Sequence, residues 1–144
     1  MALVRGRGNK STERQFVKIL RSWKIRGWRS HAPLPGRPDL VFPKAKVAIF
    51  VDGCFWHGCP RCYRQPKSNV AFWKNKVRRN MERDRRVVRQ LRKNGWKVVR
   101  IWEHALKQGM ALESRIRHAL SRTCRRLQPA LLGDPQPRAR RNQA

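Results

Sequence analysis

The chain has 144 residues, of which 40% are hydrophobic, and this is enough for one domain with a modest core. Lys and Arg total 36 against eight Asp and Glu; because the resulting charge of +28 opposes compaction, a polyanion is the expected partner, and nucleic acid is the first candidate. No apolar run of about 18 residues occurs and none follows the basic N-terminus, so we expect a cytoplasmic protein with neither a membrane span nor a secretory signal.

The first predicted element is a helix that follows a flexible basic arm over residues 1–10. It begins near Ser11 or Thr12, since Thr12 can cap a helix and Gln15 stands three residues later, as in a capping box. The helix is predicted to end near Gly27. Its apolar residues recur at helical spacing and so share one face. These residues are Phe16, Ile19, Leu20 and Trp23.

A β-hairpin is predicted next. Three prolines between residues 33 and 38 exclude a helix, and two β-rich runs follow, Asp39 to Phe42 and Val47 to Val51. The second run is apolar throughout. We therefore expect it to be a central strand that is buried on both faces.

The rest of the chain predicts a helix, a strand and a further helix. Apolar residues at helical spacing cover 72–94, and "WKVVRIW" (96–102) is typical of a strand. A strand, a long helix and a strand form the crossover that makes a parallel pair. A last helix covers 110–123, and the basic, Pro-containing segment 125–144 is predicted to be a disordered tail. The predicted domain over 11–124 is thus α/β, with a small mixed sheet flanked by helices.

Three of the eight acidic residues stand where chemistry is plausible. Asp39 begins one predicted strand, Asp52 ends the next, and Glu13 lies in the first turn of helix 1. Paired carboxylates beside DNA favour Mg²⁺, which takes oxygen ligands and can activate water. For Glu13 alone, a favourable interaction with the helix dipole is the simpler explanation. Glu82 and Asp84, among arginines, are interpreted as surface ion-pair partners.

A cluster of three cysteines follows the central strand in "VDGCFWHGCPRCY" (51–63). Cys54, Cys59 and Cys62 are spaced as in structural zinc sites, which need a fourth ligand. The candidates for that ligand are His57, His104, His118 and Cys124. We favour His104, because a parallel sheet would bring it to the same end as the cysteines.

The cluster also contains a histidine and two aromatic residues without an assigned partner. If His104 completes the metal site, His57 is free to transfer a proton during phosphodiester hydrolysis, although a role at the metal remains an alternative. Phe55 and Trp56 could be wedges inserted between base pairs. From composition alone, the core is the simpler place for them.

Two long stretches resemble the very-short-patch-repair (Vsr) DNA mismatch endonucleases. These are "LPGRPDLVFPKAKVAIFVDGCFWHGCPRCY" and "FWKNKVRRNMERDRRVVRQLRKNGWKVVRIWEHAL", within a resemblance that runs from about Lys10 to Leu106. It implies a restriction-endonuclease-like α/β core with a structural zinc. It also implies a bacterial, Mg²⁺-dependent enzyme that nicks one strand of double-stranded DNA beside a T:G mismatch. We expect a monomer, with mismatch-repair proteins as further partners.

The resemblance also assigns roles to the acidic residues and to His57. Asp39 matches the metal-binding aspartate, Glu13 the acid that acts on metal-bound water, and His57 the catalytic histidine. Val51 would offer its main-chain carbonyl to the Mg²⁺. Asp52 stands where the best-known members have a second histidine, and it is predicted to be an additional catalytic residue and Mg²⁺ ligand.

The remaining predicted contacts are with zinc and DNA. Cys54, Cys59, Cys62 and His104 fall at the zinc-ligand positions of the family. Phe55 and Trp56 match aromatic residues that wedge into the base stack, and Arg37 and Lys67 are further candidates for contacts with DNA. Two other functions stay open: a restriction-like or defence nuclease without mismatch preference, and a non-enzymatic zinc module that binds nucleic acid.

Overall fold

The structure is a computed structural model that describes residues 10–126, with side chains between residues 11 and 121. The predicted arm and tail lie almost wholly outside these residues, and so does the side chain of Cys124. Within the described part of the chain, no helix is long and apolar enough to cross a membrane.

Four strands and three α-helices make up the fold. The bounds are α1 Lys10–Ser22, β1 Arg29–Ser30, β2 Leu40–Phe42, β3 Val47–Asp52, α2 Val70–Lys93, β4 Lys97–Trp102 and α3 Met110–Arg126, with a 3₁₀ helix at Glu103–Lys107 before α3. The sheet order is β1-β2-β3-β4. The β1–β2 and β2–β3 pairs are antiparallel and the β3–β4 pair is parallel. This mixed sheet confirms the predicted α/β class, the hairpin and the parallel crossover.

The sheet separates two hydrophobic clusters. Alternate β3 residues point to opposite faces. On one face, Val47 and Ile49 pack with Phe16 of α1 and Ile116 of α3. On the other face, β3 packs with Leu91 of α2. All six residues of β3 are buried, which confirms the prediction for the apolar run Val47 to Val51 and adds Asp52 to the buried strand.

Helix α1 differs from the prediction at both ends. It begins at Lys10, so Thr12 lies inside the first turn and does not cap it; Thr12 is 3% exposed and its hydroxyl has no hydrogen-bond partner among the described residues. The helix ends at Ser22 rather than near Gly27. There Lys24 adopts a left-handed conformation (φ 57°), and the N–H of Ile25 donates to the carbonyl of Leu20 at 3.0 Å. This is a Schellman closure without the usual glycine.

Two short elements were not predicted from the sequence. Strand β1 has only two residues, both exposed, and so lacks any apolar alternation. The 3₁₀ helix directly follows β4, and Ala105 and Leu106 within it are buried.

The loop before β2 is shaped by its close approach to α2. Gly36 has φ +72°, and a Cβ built there would lie 2.3 Å from a methyl carbon of Val87. Only glycine fits both requirements. This contact fixes the path of the "PGRPD" segment and so places Asp39 at the end of the sheet.

Candidate functional site

Asp39 lies immediately before β2, where it meets the end of β3. The main-chain N–H of Val51 donates to Oδ2 of Asp39 at 2.7 Å. Burial raises the pKa of Asp39 to about 6; this hydrogen bond opposes the rise, whereas the nearby carboxylates of Glu13 and Asp52 add to it. The fold therefore brings Glu13 and Asp52 close enough for each to repel the carboxylate of Asp39. Glu13 also lies 3.6 Å from Nε2 of His31.

Asp52 is held by an arginine that the sequence analysis did not single out. Nε and Nη2 of Arg100 each donate to a different oxygen of Asp52, both at 2.5 Å. The Asp52 side chain is 5% exposed and that of Arg100 is 26% exposed. Arg100 also stacks over the Phe50 ring, with its guanidinium carbon 5.1 Å from the ring centroid. Both oxygens of Asp52 thus accept hydrogen bonds within the protein.

Asp84 holds the ring of His57 in place. The prediction that Asp84 is a surface ion-pair partner was therefore wrong. Nδ1 of His57 lies 2.6 Å from Oδ2 of Asp84 and 3.8 Å from Oδ1 of Asp52. The same oxygen of Asp84 lies 3.2 Å from Nη2 of Arg100. Although burial raises the pKa of Asp84, the hydrogen bond from His57 and the charge of Arg100 lower it overall. Asp84 is therefore an ionised partner for Nδ1–H.

A sequence signal for Asp84 exists in the helical spacing of α2. Val77, Met81, Val88 and Leu91 define the apolar stripe, and Asp84 falls at the middle position of that same stripe, seven residues from each end. An acid on a buried helix face needs a partner inside the protein. Glu82, one position off the stripe, is exposed and lies 4.0 Å from Arg78, as a surface ion pair should.

The three cysteines, which follow β3, lie close to His104, which follows β4. Nδ1 of His104 lies 3.3, 3.6 and 3.4 Å from the sulfurs of Cys54, Cys59 and Cys62. A tetrahedral zinc with Zn–S of about 2.3 Å and Zn–N of about 2.0–2.1 Å requires S···N separations of about 3.6 Å. All four ligand atoms lie within 4.8 Å of one another, and among the described side chains of residues 11–121 no other group of three or more His, Cys, Asp or Glu is so tight. These four residues could hold a metal ion.

Pairing of β3 with β4 explains why His104 completes this group. Asp52 is the register partner of Trp102, so the residues that follow each strand emerge side by side. The cysteine thiols differ in their surroundings. Burial raises the pKa of Cys54 to about 11, whereas hydrogen bonds from the main chain of Arg61 and Cys62 outweigh burial and lower the pKa of Cys59.

The aromatic residues of the cluster form part of a half-buried group. The Phe55 ring centroid lies 5.2 Å from that of Trp56 and 5.4 Å from that of Trp73 on α2. Nζ of Lys76 lies 5.8 Å from the centroid of the Trp56 ring. These side chains belong to neither of the two hydrophobic clusters beside the sheet. Of the other predicted DNA contacts, Arg37 and Lys67 are both exposed.

Comparison with known proteins identifies the family. The family model described as "DNA mismatch endonuclease Vsr" matches residues 1–64. "Type II nicking enzyme V.XorIIP" from Xanthomonas oryzae pv. oryzae is 39% identical over 114 residues, which cover 78% of this chain and 83% of that protein. The chain belongs to the Vsr family.

Two further relatives match shorter parts of this Vsr-family chain. "DNA mismatch endonuclease Vsr" from Escherichia coli is 45% identical over 97 residues, 66% of this chain and 62% of that protein. "Type II nicking enzyme V.NaeI" from Lentzea aerocolonigenes is 56% identical over 68 residues. Those residues are 47% of this chain and 41% of V.NaeI. Membership confirms the resemblance found in the sequence and places the chain among DNA endonucleases.

Proposed function

We propose that this Vsr-family chain is a Mg²⁺-dependent endonuclease that nicks one strand of duplex DNA beside a T:G mismatch. The observation that carries the proposal is the His57–Asp84 pair at the strand end that also contains Asp39 and Asp52. A histidine fixed by a carboxylate beside further acids is suited to hydrolysing a phosphodiester.

His57 donates a proton to the oxygen that leaves phosphorus when the P–O bond of the scissile phosphodiester breaks. Because Nδ1 is hydrogen-bonded to Asp84 at 2.6 Å, Nε2 is the ring nitrogen left to face the DNA. Asp84 fixes the ring orientation and stabilises the imidazolium, much as the aspartate does in serine-protease triads. Glu13 accepts a proton from the water that attacks the phosphorus.

Asp39, the carbonyl of Val51 and Asp52 are the proposed Mg²⁺ ligands. When bound there, Mg²⁺ would neutralise the charge that develops on the phosphodiester and lower the pKa of water. The raised pKa of Asp39, about 6, supports a cation site, because a nearby positive charge would relieve the repulsion from Glu13 and Asp52. Each oxygen of Asp52 accepts one hydrogen bond from Arg100 and keeps a lone pair that could coordinate the cation.

Zinc is the proposed occupant of the Cys54, Cys59, Cys62 and His104 group. Three thiolates and one imidazole suit zinc, and a set of four protein ligands is typical of structural rather than catalytic sites. The proposed role of the ion is to tie the loop after β3 to the segment after β4. That tie holds the His57 loop in place.

Contacts with DNA come from the aromatic group and from the exposed cations. Phe55 and Trp56 are proposed to insert into the base stack at the mismatch, which their half-buried position beside a cationic surface supports. Arg37 and Lys67 are proposed to contact phosphates. We further propose that the chain acts as a monomer and that mismatch-repair proteins are its partners.

A matched pair of substitutions tests the active site. Asp39→Ala should abolish nicking of a T:G duplex in Mg²⁺ while leaving folding and duplex binding intact. Glu113→Ala, which removes a carboxylate that pairs with Arg117 on α3, should nick like the wild type. Nicking by Asp39→Ala at a comparable rate would refute the proposed centre.

The mismatch preference is tested separately, because the names of two relatives describe nicking enzymes without mentioning a mismatch. A T:G duplex should be nicked much faster than a T:A duplex of the same sequence. Equal rates would instead favour a restriction-like or defence nuclease. If neither Mg²⁺ nor Mn²⁺ supports cleavage of any duplex, the chain is a non-enzymatic zinc module.

A further inference from the structure

An open cleft runs from the His57–Asp84 pair along α2. Its volume is about 810 Å³. Asp52, His57 and Asp84 line one end, and Met81, Val88 and Trp102 contribute apolar surface. We name this feature the arginine cleft, because five arginines also line it. They are Arg85, Arg86, Arg89, Arg92 and Arg100.

Four of these arginines have no acidic partner in the part of the chain that the structure describes. Arg100 is bound to Asp52 and Asp84, but Arg85, Arg86, Arg89 and Arg92 are exposed and form no ion pair with any residue between 10 and 126 that the structure describes. The acidic residues that line the cleft do not neutralise these four arginines. Asp52 and Asp84 are already paired with Arg100 and His57, and Glu82 lies beside Arg78. The cleft is therefore strongly cationic.

The arrangement of the arginines is linear. Arg85, Arg89 and Arg92 follow one another at helical spacing of four and three residues, so they form a row on one face of α2. Seven residues of helix span about 10 Å, and a DNA strand carries one phosphate per about 3.4 Å of helix axis. The row is thus long enough to span about three phosphate-to-phosphate steps of one strand.

We infer that the arginine cleft binds the phosphate backbone of duplex DNA on one side of the scissile phosphate. The inference rests on the proposed function, because it takes His57 as the point where the strand is cut. A strand that enters at the His57 end meets the guanidinium row directly. Arginine suits this task, since its planar donors match phosphate oxygens. The row anchors the flanking strand and sets where the scissile phosphate lies.

Salt-dependent binding tests this inference without relying on catalysis. Binding of a labelled duplex is measured by fluorescence anisotropy between about 50 and 200 mM KCl, without a divalent cation. Arg89→Gln plus Arg92→Gln should reduce the slope of log K against log [KCl] by about 1.8, because each lost phosphate contact removes about 0.9. Circular dichroism confirms that the double variant is folded, as expected for two exposed side chains.

The control removes two cations from the opposite side of the sheet. Lys18 and Arg26 are exposed at and near α1, so Lys18→Gln plus Arg26→Gln should keep the wild-type slope. A cleft variant whose slope equals that of the wild type, or whose loss is matched by the control, overturns the inference. A slope change seen with duplex RNA but not with duplex DNA overturns it as well.

Nicking measured in parallel separates this inference from the proposed function. If the wild type does not nick T:G duplexes but the cleft variant loses slope, the cleft binds DNA and the nuclease proposal fails. If nicking occurs but the slope is unchanged, the nuclease proposal stands and the cleft assignment is wrong.

Discussion

The Asp52–Arg100 pair gives the sharpest prediction about stability. Arg100→Met keeps most of the side-chain volume but leaves the Asp52 carboxylate, which is 5% exposed, without its two guanidinium hydrogen bonds. Breaking a buried ion pair by removing one partner costs about 3–5 kcal/mol, because the remaining charge stays desolvated. We expect Arg100→Met to lower the free energy of unfolding by about this amount.

A second substitution should recover much of that loss. In Asp52→Asn plus Arg100→Met the uncompensated charge at residue 52 is removed, and a residual cost of about 1–2 kcal/mol comes from an incompletely hydrogen-bonded amide and from the lost contact of Arg100 with Asp84. The double variant is therefore expected to be about 2–3 kcal/mol more stable than Arg100→Met alone. Such a recovery would identify charge compensation, rather than packing, as the main contribution of Arg100.

Urea unfolding at neutral pH measures these free energies, provided that the slope against urea is the same for all variants. Arg78→Met is the matched control, since Arg78 lies 4.0 Å from Glu82 and both side chains are more than half exposed. Its effect should stay below about 1 kcal/mol. The reasoning is refuted if Arg100→Met costs no more than Arg78→Met, or if adding Asp52→Asn restores nothing.

Three further predictions concern the metal group, the loop before β2 and the pH dependence. Cys59→Ser plus Cys62→Ser should abolish zinc binding and lower the thermal midpoint, as elemental analysis and calorimetry would show; a wild-type protein that folds without zinc would contradict this. Gly36→Ala should lower the free energy of unfolding in urea by about 2–5 kcal/mol, because the added methyl group overpacks against Val87 and the residue is strained in the left-handed region. The control is Gly27→Ala, where φ is +89° and no atom lies within 4 Å of the added methyl group, so only the backbone strain should lower its stability. Equal losses of stability in the two variants would contradict the close approach of Gly36 to α2. The pKa of the Asp39 carboxyl is about 6 in the folded protein, against an ordinary value of 3.8. Between pH 3.8 and about 6 the folded state therefore binds a proton at Asp39 that the unfolded state releases, so the free energy of unfolding falls as the pH rises through this range. In metal-free protein, Asp39→Asn should therefore be more stable than wild type by about 3 kcal/mol at pH 7.5 and no more stable near pH 3.5; a pH-independent difference would be inconsistent with the buried carboxylate.

The sheet could be predicted from sequence because its signals are local. The apolar run Val47 to Val51 predicted a buried strand, and the long helix after it predicted a parallel return. The spacing of Cys54, Cys59 and Cys62 indicated a metal, and the same parallel return selected His104. In each case a short pattern was combined with one rule about how strands connect.

The partners of Asp52 and His57 could not be predicted in this way. Arg100 and Asp84 are 48 and 27 residues away along the chain, and they meet these residues only because α2 crosses over β3 and β4. In "ERDRR" the arginines next to Asp84 made a surface ion pair the obvious interpretation. Its helical position pointed inward, but which group it would meet there depends on tertiary packing.

The order in which these residues emerge during synthesis has a consequence for the cell. A nascent chain that extends through α2 already carries Asp52, His57 and Asp84, but neither Arg100 nor His104. Domains fold as units once their chain is available, so Asp52 lacks its guanidinium partner until β4 leaves the ribosome, and the metal group lacks its histidine until the segment after β4 follows. On the proposed function, we expect no cutting activity from the unfinished chain, because the strand that carries the partner of Asp52 is also the strand that completes the sheet.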